Sequence, residues 1–224
     1  MARTPSLTVK IRVTNPEWGK RAAAVAMMIS RYSQPERIEI VRYPHAGSAE
    51  HRISSGYEAL RGVQTEWLLS IDADSYVYGD VRELVRRAEA RNAVCAIRHS
   101  PLQALARNEW DQEAYEGIFR KPPLPYRRLG TTCAFLLHRD VADSVLFSVH
   151  RQREWIDGRG VRLSKSYHHA QAAFALSLAQ VGVGEDRTWW LEPEQLSFEG
   201  EPHGIIHHEA HKKYRFPFQE RDDG

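Results

Sequence analysis

The stretch LLSIDADSYVYGDVREL, residues 68–84, decides the fold. An apolar run with the composition of a buried strand ends in two carboxylates, Asp72 and Asp74, and an amphipathic segment follows at once. On an extended chain, residues two apart project to the same side, so two anions at that spacing repel unless a cation lies between them. No basic residue adjoins them in sequence, and a divalent metal is the simplest candidate. On that reading, replacing either carboxylate relieves repulsion and leaves the fold intact.

Outward from this segment, strand-like and helix-like stretches alternate. LTVKIRV (7–13) reads as a strand, EWGKRAAAVAMMISRYS (17–33) as a helix, RIEIVRY (37–43) as a strand, AEHRISSGYEALRG (49–62) as a helix and EWLLSIDAD (66–74) as a strand. GDVRELVRRAEARN (79–92) is a helix with Asp80 near its start, placed to cap it, and AVCAIRH (93–99) is a strand. Residues 100–128 form a Pro- and aromatic-rich insertion of the kind that often carries binding elements. Beyond it come the strand TTCAFLLHR (131–139) and the helices VADSVLFSVHRQREWI (141–156) and HHAQAAFALSLAQVG (168–182). This order predicts an α/β fold, a mostly parallel sheet flanked by helices in a single domain, with ligands at the carboxyl ends of the strands. Asp72 and Asp74 fall at such an end.

Composition narrows the class. The 224 residues carry 31 Lys and Arg against 29 Asp and Glu, spread along the chain, so no dedicated nucleic-acid or anionic-membrane surface is expected. No segment approaches the roughly 20 apolar residues of a membrane span. MARTPSLTVKIRV lacks the apolar core of a signal peptide, and the expectation is a soluble, cytoplasmic protein. Cys95 and Cys133 sit in apolar strand-like runs and read as small buried hydrophobes.

Two carboxylates are too few to enclose Ca²⁺, and as hard oxygen donors they suit Mg²⁺ or Mn²⁺ shared with phosphate oxygens. With a strand, a DxD and a following helix, SIDADSYVYGDVREL resembles the nucleotide-sugar site of GT-A (Rossmann-like) glycosyltransferases, and in particular glycosyltransferase family 8, with its galactosyl-, glucosyl- and glycogenin-like members. HHEAHKK repeats that family's HxxGxxK as His207, Ala210 and Lys213, with alanine in place of glycine. The resemblance implies Asp72, Asp74 and His207 as metal ligands, with His208 or Lys212 as alternatives to the histidine and lysine of the pattern. It implies Lys213 on the departing diphosphate. Arg52, in EHRISSGYEALRG, matches the family's donor-contacting arginine. Gln171 matches the glutamine of its sugar-lining Asp-Gln pair, with Ala170 where the aspartate would be.

The implied activity is metal-dependent transfer of a sugar from a nucleotide diphosphate sugar, UDP favoured, with retention, to a glycan, a peptide or protein side chain, or a small metabolite. The domain would span residues 1–215, with 216–224 a flexible tail. An inverting reaction would need a carboxylate base, for which Glu109, Asp111, Glu113, Glu185 and Asp186 are present. Trp189 and Trp190 read as packing residues, with stacking on a sugar as the alternative.

Other classes fit less well. A zinc hydrolase of the HExxH type fails because position 212 is lysine. A sugar nucleotidyltransferase would carry a Gly-rich basic loop after the first strand, and RVTNPEWGKRAAA has none. A catalytically silent GT-A-like binding protein is compatible with Ala170 and Ala210.

Overall fold

The computed structural model describes residues 4–13, 18–42, 56–99, 130–158 and 166–209, with backbone alone at 157 and 166–169. A six-stranded sheet runs through the chain in the order β2 (Arg37–Arg42), β1 (Leu7–Val13), β3 (Trp67–Asp72), β6 (Gly130–His138), β5 (Cys95–His99), β7 (Thr188–Leu191). β1 pairs in parallel with both β2 and β3, and β5 in parallel with β7. β6 is antiparallel to β3 and β5, so it alone opposes the other five. The expected α/β class holds, with this one strand reversed.

Alternation along the strands sends apolar residues to two cores. Leu7, Val9, Ile11 and Val13 of β1, with Trp67, Leu69 and Ile71 of β3, meet helices α1 (Gly19–Tyr32) and α2 (Arg82–Ala90) through Ala22, Val25, Ile29, Leu84 and Val85. On the opposite face Leu68, Phe135 and Leu137 pack against α3 (Arg139–Gly158) and α4 (Ser166–Gln180), including Val145, Val149 and Phe174. With both faces covered, every residue of β1 is buried, its polar Thr8, Lys10 and Arg12 included.

Local chemistry sets the helix ends. The Ser33 hydroxyl accepts the Val81 N–H at 2.8 Å, joining the end of α1 to the approach to α2, and Asp80 Oδ1 accepts the Arg82 N–H at 2.9 Å. After α2 the chain turns through Asn92, at φ 53°, a left-handed conformation that asparagine tolerates, and the Ala93 N–H reaches the Ala88 carbonyl at 3.0 Å. Both cysteines are buried and free, and burial pushes the Cys133 thiol up to about 12, which removes thiolate chemistry there. Among the described residues, no helix is long and apolar enough to cross a membrane.

A second sheet of three short strands lies beyond β3: β4 (Ser75–Val77), β9 (Ile206–His208) and β8 (Leu196–Phe198), with β9 in the middle. Strands of three residues are too short to show a period, and the sequence expectation contains neither β4 nor β8. A Cβ at Gly204 would overlap the Pro193 carbonyl oxygen and stand 3.0 Å from the Glu194 carbonyl carbon, so only glycine lets the chain enter β9 here. Gly204→Ala is therefore expected to cost about 2 kcal/mol, from steric overlap with backbone that cannot move aside. Urea unfolding monitored by circular dichroism measures this, and an unchanged midpoint would refute the packing argument.

Candidate functional site

The strand carrying the DxD ends earlier than its sequence suggests. β3 stops at Asp72, and residues 73 and 74 form a turn into β4. Asp72 and Asp74 are therefore not two same-side residues of one extended run, and they face different partners.

Asp72 has a cation that local sequence hides. Arg12 stands opposite it in the β1–β3 register, and Arg12 Nη2 lies 3.0 Å from Asp72 Oδ1. Arg12 is buried, its guanidinium also donates to the Thr132 carbonyl, and its central carbon lies 5.3 Å from the ring centre of Phe135 and 5.7 Å from that of Tyr57. The expectation that no basic residue relieves the carboxylates is thus corrected: the neutralising residue comes from a neighbouring strand, sixty positions earlier in the chain.

Asp74 is buried in the turn and is approached from the far end of the chain. His208 Nδ1 lies 3.5 Å from Asp74 Oδ1 and 3.3 Å from the Ser75 hydroxyl, and the Glu209 N–H meets the Asp74 carbonyl at 3.3 Å. Antiparallel pairing of β4 with β9 sets this contact, with Ser75 opposite His208 and Tyr76 opposite His207.

His207, expected from the motif as the ligand, points to the other side of the small sheet. Its Nδ1 lies 2.8 Å from the Ser197 hydroxyl, and its ring centre is 4.5 Å from that of His203. Burial, and after it the charge of His203, push the His207 imidazole below its ordinary value. The imidazole beside the DxD is His208.

Supporting contacts hold the small sheet to the large one. Arg98 of β5 grips both Glu201 carboxylate oxygens at 2.6 and 2.5 Å, donates to the Leu196 carbonyl and covers the Phe198 ring at 4.6 Å. The hydrogen bonds from Arg98 hold the Glu201 carboxyl below the usual carboxylate range. The carboxylate pairing is bidentate and charge-assisted, the stronger geometry for such a contact.

Other sequence candidates fall in different places. Gln171 is buried on α4 beside the buried Ala170. Arg52, Lys213, Ala210 and the insertion with Glu109, Asp111 and Glu113 lie outside the described residues. Glu185 and Asp186 form a 3-10 turn leading into β7, at the amino ends of the parallel strands and so at the opposite edge from Asp72. Trp189 joins the core, with Arg91 over its ring at 4.8 Å, while Trp190 stacks on His99 at 4.2 Å with ring planes 4° apart. Both indoles pack within the protein.

A carboxylate and an imidazole in contact, with a second carboxylate two residues away, make a donor set suited to Mn²⁺ or Mg²⁺. Among the described residues, no three His, Cys, Asp or Glu side chains gather closely enough to enclose an ion. Asp74 and His208 are thus two donors in contact, too few to enclose an ion on their own.

No protein-family model matches the chain, and no curated protein matches it by sequence. Solved structures do share its fold. Mouse xyloside xylosyltransferase 1, in its apo form, aligns with a TM-score of 0.52 at 12% identity over 94% of this chain and 99% of its own. The galactosyltransferase LgtC, crystallised with donor and acceptor sugar analogues, aligns at 0.57 with 8% identity, over 91% and 87% of the two chains. A glycosyltransferase involved in glycosylation of the major capsid of PBCV-1 aligns at 0.55 with 12% identity, over 91% and 92%. The chain thus has the GT-A glycosyltransferase fold.

Two outcomes follow from this geometry. Asp72→Asn strips a buried guanidinium of its counter-charge and should cost about 2–3 kcal/mol, less than for a fully buried pair because the Asp72 side chain is 25% exposed. That corresponds to a fall in Tm of roughly 5–10 °C; an unchanged Tm would mean the Arg12 charge is balanced elsewhere. For His207, a folded-state value below the unfolded one means that the unfolded chain binds more protons as pH falls through the ordinary histidine value of 6.5. The contribution is complete above that value and is lost as pH drops through and below it. His207→Gln should flatten this part of the stability–pH curve, which denaturation between neutral and mildly acid pH would detect.

Proposed function

We propose that this protein transfers a sugar from a nucleotide diphosphate sugar, UDP favoured, to an acceptor that is a glycan, a peptide or protein side chain, or a small metabolite, with retention and with Mn²⁺ or Mg²⁺. The observation that carries the reading is the meeting of Asp74 with His208 at 3.5 Å, at the carboxyl end of β3 in a glycosyltransferase fold. These two residues belong to motifs 134 positions apart in the sequence, and their contact is a long-range constraint that no local pattern produces.

In this reading Asp74 and His208 hold the ion, with Asp72 beside them, and the imidazole expected at 207 is supplied by its neighbour. A divalent ion there would offset the charge that develops on the departing diphosphate. Lys213 is proposed to assist at the same diphosphate, Arg52 to contact the donor and Gln171 to line the sugar. For any such cation the electrostatic requirement is to be in place before the bond breaks, so that little reorganisation is needed at that moment.

Ala170 favours a second reading. It stands where the family's sugar-lining aspartate is expected, and its buried methyl offers no acceptor for a hydroxyl. A protein that binds nucleotide sugars without transferring them would have this feature.

A thermal-shift panel of nucleoside diphosphates and sugar nucleotides, with and without Mn²⁺, tests both readings, since a ligand that binds only the folded state raises Tm with its occupancy. The expected result is a rise with a uridine nucleotide that requires Mn²⁺. Asp74→Asn and His208→Ala should each abolish the metal-dependent part, whereas His207→Ala, which loosens the small sheet but removes no donor, should only reduce it. Equal shifts in wild type and both site variants would sink the assignment. Release of free UDP from a UDP-sugar in the presence of Mn²⁺ separates the transferase from the silent binder.

A further inference from the structure

Arg12 belongs to no motif, yet both its backbone and its side chain hold the turn that carries the carboxylates. The Ala73 N–H donates to the Arg12 carbonyl at 3.0 Å, while the Arg12 guanidinium reaches Asp72 Oδ1 at 3.0 Å. The side chain has little freedom: it is 4% exposed, donates to the Thr132 carbonyl of β6 and lies against the rings of Phe135 and Tyr57. A guanidinium restrained on several sides presents its planar fork in one orientation, and the carboxylate it binds takes its orientation from it.

Lys10 shows what a purely structural cation on this strand looks like. It occupies the same face two residues earlier, and its ammonium is matched by Glu39 at 3.4 Å and the Arg61 carbonyl at 3.1 Å, away from the carboxylate turn. Arg12 differs in that its counter-charge is one of the two carboxylates of the candidate site.

We infer that Arg12 is a positioning residue of the proposed donor site: it holds the Asp72 carboxylate by one oxygen, which sets the direction of the other, and it balances one of the two negative charges there. The inference rests on the nucleotide-sugar reading. Removing Arg12 disorders Asp72, so Asp72 ceases to contribute even though it is still present.

The test is isothermal titration of UDP with Mn²⁺ into wild type, Arg12→Lys, Arg12→Met, Asp72→Asn and the Arg12→Met/Asp72→Asn double variant, at a temperature where circular dichroism shows each to be folded. Arg12→Met should weaken binding roughly ten- to hundredfold, the range for losing a group that orients a metal-site side chain. Arg12→Lys, which keeps the charge but not the fork, should fall between Arg12→Met and wild type. The double variant should bind no more weakly than Asp72→Asn alone, because without the carboxylate Arg12 has nothing to orient. Losses that multiply in the double variant, or wild-type affinity in either Arg12 variant, would overturn the inference. Should Arg12→Met not fold, Arg12→Lys decides, and wild-type affinity in it is the overturning result. A wild-type chain that binds no UDP with Mn²⁺ overturns the functional reading and this inference together, whereas wild-type binding with independent losses overturns the inference alone.

Discussion

Two cations buried on a central strand constrain much of this molecule. Lys10 and Arg12 point from β1 into a covered face, where an unmatched charge would cost several kcal/mol even after local relaxation. Each is matched by the residue opposite it on an adjacent strand, Lys10 by Glu39 of β2 and Arg12 by Asp72 of β3. These pairs fix the register on both sides of β1. Slipping either neighbour by one residue would send its carboxylate to the opposite, apolar face and leave a cation without its partner. The same requirement that aligns the sheet also brings Asp72 to the end of β3 in a defined orientation, so the candidate site is partly a product of how the core balances charge.

The small sheet depends on a second set of contacts. Three-residue strands offer few ladder bonds, and β4, β8 and β9 are held chiefly by what surrounds them. Val77, Leu196 and Ile206 enter the core shared with α1, Arg98 clamps Glu201 and the Leu196 carbonyl, and Gly204 allows close passage beneath Pro193. The Tyr78 N–H to Ile205 carbonyl bond at 2.9 Å and the Glu209 N–H to Asp74 carbonyl contact at 3.3 Å close the two ends of the β4–β9 pairing. His208 is placed by this assembly as a whole, and weakening Arg98 or Gly204 would act on the site from a distance.

Much of the large sheet was legible because its signals are long and local. β1, β2, β3, β5 and β6 fall close to the apolar stretches that announce them, and α1, α3 and α4 close to their helical runs. Arg12 was not legible. In LTVKIRV, threonine, lysine and arginine alternate with apolar residues as on a half-exposed strand, and what buries the two cations comes from distant segments, among them Tyr57, Arg61 and Phe135. The reversal of β6 was hidden for a related reason: the pattern that identifies a strand carries no direction. The carboxylate pair was legible in composition but not in geometry, because SIDAD gives no local sign that the strand ends at Asp72. Direction, turn position and charge pairing here are all properties of contacts between distant segments.

The exchange of roles between His207 and His208 shows the same limit at the scale of one residue. A spacing motif counts positions along the chain, whereas a strand assigns neighbours to opposite faces. Once Tyr76 pairs with His207 and Ser75 with His208, the histidine on the Asp74 side can only be the second. The first is then committed to the opposite side, where the Ser197 hydroxyl meets its Nδ1 at 2.8 Å and also accepts the Gly204 N–H at 2.9 Å, tying β8 to the turn that begins β9. His207 is thus part of the scaffold that sets His208 in place. Shifting the β4–β9 register by one residue would exchange the two side chains, but it would also turn Ile206 out of the core, and burial of Ile206 is what holds the register against that exchange.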